Sequence, residues 1–198
     1  MIKQSELLSN QEKLQREAKE VIEKLNLVKI LSQYGKVNVV GSLKYGLMVW
    51  RDIDIDLVLE NEILEINYWE IVEKLFSNKK IQSMILSDNR NVEDKNRPKS
   101  LYIGIKYLDN KENIWKIDIR LLNKNDLKTG KIENLINDKI TPENRLTILE
   151  IKSQVCNNPK YHKEFSSVDI YEEMLISGVK NLEEFISFLK LKSINMVK

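Results

Sequence analysis

Acid and aliphatic side chains alternate along Asp52-Ile53-Asp54-Ile55-Asp56-Leu57. Successive side chains of a β-strand point to opposite faces, so the acids share one face while Ile53, Ile55 and Leu57 share the other. The aliphatic face has a core to fill. The acidic face sets like charges in a row, which repel and raise at least one pKa unless a cation or hydrogen-bond donor compensates. Hard divalent cations take a few carboxylate oxygens and keep water or phosphate oxygens as further ligands. Such a row can form half of a two-metal site for phosphoryl or nucleotidyl transfer. An amphipathic strand with a solvated acidic face would show the same alternation, so the acids alone do not decide.

A short distance upstream stands Val40-Gly41-Ser42. Gly41 closes an apolar run without a Cβ, which lets a phosphate approach the backbone. Ser42 then falls where the next helix begins and offers a hydroxyl and free N–H groups to an anion. It could equally serve as that helix's N-cap, and the two roles are compatible. Lys44 and Arg51 are candidate triphosphate contacts, or else solvated surface charges.

The order and spacing of these residues resemble the nucleotidyltransferase superfamily, which includes DNA polymerase beta, the CCA-adding enzymes and the antibiotic nucleotidyltransferases. Its members carry an apolar residue, Gly, then Gly or Ser, followed after a short interval by Asp-apolar-Asp/Glu-apolar. Here Val40-Gly41-Ser42 is followed by the nine residues Leu43 to Arg51 and then by Asp52-Ile53-Asp54-Ile55. The resemblance implies that Asp52 and Asp54 hold the metals and that Gly41 and Ser42 contact nucleotide phosphates. Asp54-Ile55-Asp56-Leu57 fits the pattern too. Asp52 and Asp54 are preferred because the pair should lie at the strand's entrance, leaving Asp56 to pair with a basic side chain. Arg51 to Asp56 also resembles the corresponding stretch of lincosamide nucleotidyltransferases.

Superfamily members commonly place a third carboxylate on a later strand. Asp118 is the candidate, within Trp115-Lys116-Ile117-Asp118-Ile119-Arg120-Leu121, where the acid again alternates with isoleucines. A salt bridge to Lys116 or Arg120 is its alternative role. The resemblance implies that Asp118 acts with Asp52 on the catalytic metal. It further implies Mg²⁺ or Mn²⁺ as cofactor and an NTP, ATP among the candidates, as donor. Opposite this strand, Tyr102, Gly104 and Lys106 would share a face, and Gly104 could clear space for a ligand or mark a bulge. The tail, from Ser166 to Leu175 with Gly178-Val179 and Glu183-Glu184-Phe185, resembles the helical tail of small bacterial nucleotidyltransferase-like proteins.

The elements that must position these side chains follow from periodicity. Apolar spacing predicts one amphipathic helix from Gln4 to Leu31. Strands are expected at residues 37–40, 53–59 and 81–86, with helices at 43–49 and 66–76 between them. Residues 87–100, with Arg90, Lys95, Arg97 and Pro98, read as a polar loop. A hairpin should follow, 101–108 with 114–122, turning at Asp109 to Asn113. Thr141-Pro142 starts a helix reaching to about Val155, Ser167 caps another, and Asn181 opens the last after Gly178. The fold class is therefore α/β (α+β): a mixed β-sheet flanked by helices over residues 1–125, with a C-terminal helical region over 126–198.

Composition sets the remaining bounds. The 32 Lys+Arg against 30 Asp+Glu leave a net charge of +2, which argues against a grip on long nucleic acid. The single cysteine, Cys156, excludes an intrachain disulfide and reads as a small buried hydrophobe. No apolar run approaches the ~18 residues of a membrane span, and the N-terminus lacks a signal peptide's apolar stretch, so the expected location is the cytoplasm. His162 suits a surface or helix-end role. Trp50, Trp69 and Trp115 could stack a base, with core packing favoured for Trp69. The expected partners are an NTP and a hydroxyl acceptor, foremost a small molecule. A homodimer through Val168, Tyr171, Leu175, Phe185, Phe188 and Leu189 is compatible, as is packing of that tail on its own domain. The competing function is that of a nucleotidyltransferase-fold binding or regulatory protein, antitoxin-like, with little turnover.

Overall fold

The aliphatic alternation around Asp54 recurs in two later segments, and all three lie side by side. The computed structural model describes residues 4–60, 67–91, 99–126 and 131–196. Five strands form one sheet: β1 (Gly35–Val40), β2 (Asp52–Leu59), β3 (Ile81–Asp88), β4 (Leu101–Leu108) and β5 (Ile114–Asn123), in the order β1-β2-β5-β4-β3. The β2–β5 pair is parallel and the other pairs are antiparallel, so the sheet is mixed. Register matters more than order here. Ile53, Ile117 and Ile105 stand in one row, Ile55, Ile119 and Ile103 in the next, and Leu57, Leu121 and Leu101 in the third. All nine side chains are buried, which makes this face of the sheet the floor of the core.

Helices cover that floor. Helix α1 (Gln4–Lys24) supplies Leu14, Ala18 and Val21, α2 (Leu27–Leu31) supplies both of its end residues, and α4 (Tyr68–Phe76) supplies Ile71 and Leu75. The helix expected from Gln4 to Leu31 is thus two helices, because Asn26 adopts a left-handed φ of 50°. Asn tolerates that conformation, and residues 4–31 carry no Gly or Pro to announce it. Helix α3 (Gly41–Tyr45) links β1 to β2 and is shorter than expected, ending at Gly46 with φ 66°. Strand β3 runs two residues into the expected polar loop. Lys95, Arg97 and Pro98 of that loop lie outside the described residues, as does the expected helix start at Ile66.

Contacts divide the chain into two compact units, Lys13–Lys128 and a helical unit of Met1–Glu12 with Thr129–Lys198. In the latter, α5 (Lys131–Lys139) precedes α6 (Pro142–Val155), α7 (Ser167–Glu172) and α8 (Leu182–Leu191). Thr141 caps α6 through a reciprocal pair with Asn144, with Pro142 in the first turn. Ser166, one residue earlier than expected, caps α7, because Asp169 stands three residues on to complete the box. A π-turn over Glu173–Ser177 closes at Gly178 with φ 75°, and Asn181 caps α8. Tyr171, Leu175, Phe185 and Leu189 are buried, whereas Val168 is 43% exposed. Cys156 is half-buried and His162 exposed. Among the described residues, no helix is long and apolar enough to cross a membrane.

Candidate metal centre

The reverse face of the same strands carries the polar side chains, and their rows are set by the same register. Asp52 lies opposite Lys116 and Lys116 opposite Lys106; Asp54 lies opposite Asp118 and Asp118 opposite Gly104; Asp56 lies opposite Arg120 and Arg120 opposite Tyr102. Acid meets base in the outer rows and acid meets acid in the middle one. Parallel pairing of β2 with β5 in this register is what converts two alternating segments, far apart in sequence, into one cluster.

Asp52, Asp54 and Asp118 each bring a carboxylate oxygen within 4.8 Å of the others. Asp56 does not join them. Arg120 holds it in a two-pronged pair, Nε to Oδ1 at 2.8 Å and Nη2 to Oδ2 at 3.0 Å. A planar guanidinium matched to a carboxylate in this way fixes both groups. Burial pushes the Asp54 carboxyl up to about 7, reinforced by the charges of Asp52 and Asp118 and only partly offset by Lys116 and Arg120. The cluster is therefore short of positive charge, and three converging carboxylates suit a hard divalent cation. The residues present fit such an ion.

Two side chains fix Asp118. The Tyr102 hydroxyl donates to Oδ1 at 2.9 Å and the Lys116 ammonium to Oδ2 at 2.5 Å. Tyr102 reaches Asp118 by lying across Gly104, where any Cβ would overlap the phenol. The space above Gly104 is thus filled by Tyr102 and is neither a ligand opening nor a bulge, since β4 and β5 pair without interruption there. Burial, then the Asp118 charge, pushes the Tyr102 hydroxyl up to about 12, so it remains a donor at neutral pH. Tyr68 in turn donates to the Tyr102 carbonyl at 2.9 Å. Tyr102 had a sequence signal, a shared face with Gly104, but the reach across a glycine depends on the pairing of β4 with β5.

Gly41 abuts the cluster. It has φ 63°, and a side chain there would overlap Asp54 Oδ2. Ser42 occupies the first turn of α3, and its carbonyl accepts the Leu47 N–H at 2.9 Å. Lys44 is exposed, with its ammonium 5.1 Å from the centre of the Tyr45 ring. Arg51 turns to Glu17, Nη2 to Oε2 at 3.3 Å, and lies over the Trp115 ring at 5.9 Å. Glu17, buried on α1 and also paired with Lys111, had no sequence signal because its partners are 34 and 94 residues away. Trp115 is the fully buried tryptophan, whereas Trp69 is 67% exposed, contrary to the expected core role.

No family model and no curated protein matches the chain. Solved structures similar to it include the following two. A cytoplasmic RNA terminal U-transferase aligns at 17% identity and TM-score 0.49, over 73% of this chain and 41% of its own. The Cid1 poly(U) polymerase aligns at 14% identity and TM-score 0.53, over 86% of this chain and 54% of its own. The fold is nucleotidyltransferase-type. The chain spans about half the length of these neighbours or less.

Proposed function

We propose that this nucleotidyltransferase-type domain is a metal-dependent nucleotidyltransferase. It moves a nucleoside monophosphate from an NTP to an acceptor hydroxyl. The acceptor oxygen bonds to the α-phosphorus, the bond from that phosphorus to the β-phosphate bridging oxygen breaks, pyrophosphate leaves, and the hydroxyl proton passes to base or solvent. The convergence of Asp52, Asp54 and Asp118 within 4.8 Å carries the reading. Asp52 and Asp54 would hold two Mg²⁺ or Mn²⁺ ions, with Asp118 sharing one of them. Bound there, the ions would acidify the acceptor hydroxyl and neutralise the triphosphate.

The chain's own residues do the positioning. Tyr102 orients Asp118, while Arg120 keeps Asp56 out of the cluster. Gly41 and Ser42 are assigned to the phosphates, with Lys44 beside them. Arg51 would have to leave Glu17 to contribute there. The near-neutral charge and the motif's likeness to lincosamide nucleotidyltransferases support a small-molecule acceptor. A short RNA 3′ hydroxyl is the second reading, favoured by the fold shared with the Cid1 poly(U) polymerase.

The test supplies each α-labelled NTP with Mg²⁺ or Mn²⁺, with aminoglycoside, lincosamide and short RNA acceptors. Transfer to one acceptor class, abolished in Asp52→Asn and Asp54→Asn, is expected. Equal transfer by those variants would remove the mechanism. NTP binding without transfer to any acceptor would favour the antitoxin-like, regulatory role.

A further inference from the structure

The acid cluster already has a cation leaning on it. The Lys116 ammonium lies 2.5 Å from Asp118 Oδ2 and 3.4 Å from Asp52 Oδ1, so it bridges two of the three carboxylates. Its backbone stands opposite Asp52, and the side chain leans along β5 to reach Asp118 two residues on. With the Tyr102 hydroxyl on Oδ1, both oxygens of Asp118 accept a hydrogen bond. A divalent ion drawn to these carboxylates would sit within a few ångströms of the ammonium, and like charges that close repel strongly where water is partly excluded.

The two basic neighbours differ in how readily they can move. Arg120 is locked to Asp56 through two bonds in a matched planar geometry. Lys116 has a flexible four-carbon stem, and its side chain is 54% exposed against 9% for Asp52 and 19% for Asp118. A compact ammonium on such a stem can rotate into solvent once another cation neutralises the carboxylates.

We infer that Lys116 is a displaceable internal counter-ion, which holds the acid cluster together without metal and must withdraw from Asp52 and Asp118 when a divalent ion binds. The inference rests on the reading of these acids as a metal site. Lys116 is thereby a positioning residue that sets how much divalent ion the protein needs. Removing its charge tightens metal binding, the reverse of what loss of a supporting residue would do.

Mn²⁺ titration of the full chain, followed by the electron paramagnetic resonance of free Mn²⁺, tests this in the absence of nucleotide. Lys116→Met should bind Mn²⁺ roughly tenfold more tightly than the unaltered protein, within the range usual for coupled sites. Lys116→Arg, which keeps the charge, should not gain affinity, and Asp54→Asn should lose the site. Equal or weaker binding by Lys116→Met, with binding still lost in Asp54→Asn, overturns the role of Lys116 and leaves the metal site standing. Absence of Mn²⁺ binding in both the unaltered protein and Lys116→Met overturns the metal reading and this inference together. A measurement independent of variant folding is the ¹⁵N resonance of the Lys116 ammonium in the unaltered protein. It should shift on Mg²⁺ addition, and a signal unmoved at saturation overturns the displacement.

Discussion

At Gly41 a left-handed φ and the Asp54 carboxylate directly against the α-carbon together leave no room for a side chain. The two effects can be separated, because Gly178 has a similar φ of 75° with nothing within 4 Å of a built Cβ. Gly178→Ala should therefore cost only the backbone penalty of about 1–2 kcal/mol. Gly41→Ala should cost more than that in urea unfolding and also weaken Mn²⁺ binding, since the methyl must push Asp54 out of line with Asp118. Equal losses for the two variants, with Mn²⁺ affinity unchanged, would show that Gly41 serves the turn alone. The residues in question were legible because strand alternation places Asp52, Asp54 and Asp118 on polar faces without knowledge of the fold. What alternation leaves undetermined is which acid pairs with which base. Position at the strand's entrance favours Asp52 over Asp56, but that Arg120 stands opposite Asp56 and Lys116 opposite Asp52 is a property of the β2–β5 register.

One turn holds the element that delivers Lys116 and Asp118. Asp109, at the exit of β4, accepts from the Lys111 and Asn113 backbone N–H groups at 2.8 and 2.9 Å and from the Trp115 indole N–H at 3.1 Å. The carboxylate thus ties the hairpin tip to the buried ring next to Lys116. Burial pushes the Asp109 carboxyl up, but the bonds from Asn113, Trp115 and Lys111 outweigh it and bring it down to about 2 from 3.8. A carboxyl lowered on folding stabilises the fold above its unfolded pKa and loses that contribution as pH falls through the folded one. Asp109→Ala should therefore cost about 1–3 kcal/mol near neutrality, chiefly by orphaning the buried indole N–H. The gap to the unaltered protein, followed by urea unfolding, should hold down to about pH 4 and narrow towards about pH 2. A gap independent of pH would mean that the carboxylate charge is not what holds the turn. The turn from Asp109 to Asn113 was legible from its composition, yet its grip on Trp115 was not. Hydropathy likewise favoured Trp69 for the core, but Trp69 falls on the outward side of α4, and the first helix broke at an Asn that propensity alone does not single out.

Charge at the scale of the whole molecule bears on the acceptor. The chain carries 32 Lys+Arg and 30 Asp+Glu, and several cations nearest the cluster are already engaged: Lys116 with Asp52 and Asp118, Arg120 with Asp56, and Arg51 with Glu17. Among the described residues, these three are thus committed to acids rather than to a row of phosphates. Counter-ion release makes this measurable, because each phosphate neutralised on a single strand steepens the dependence of log K on log salt by about 0.7. About three phosphate contacts give a slope near −2, and hence a loss on the order of 20-fold in affinity between about 50 and 200 mM salt. A short single-stranded RNA titrated by fluorescence anisotropy should show a slope of that size or shallower, while an uncharged small acceptor should show almost none. A slope steeper than about −5 would require roughly seven contacts, a basic track that the near-neutral composition does not lead one to expect. That outcome would move the acceptor from a small molecule or RNA end to an extended strand, while leaving the chemistry assigned to Asp52, Asp54 and Asp118 untouched.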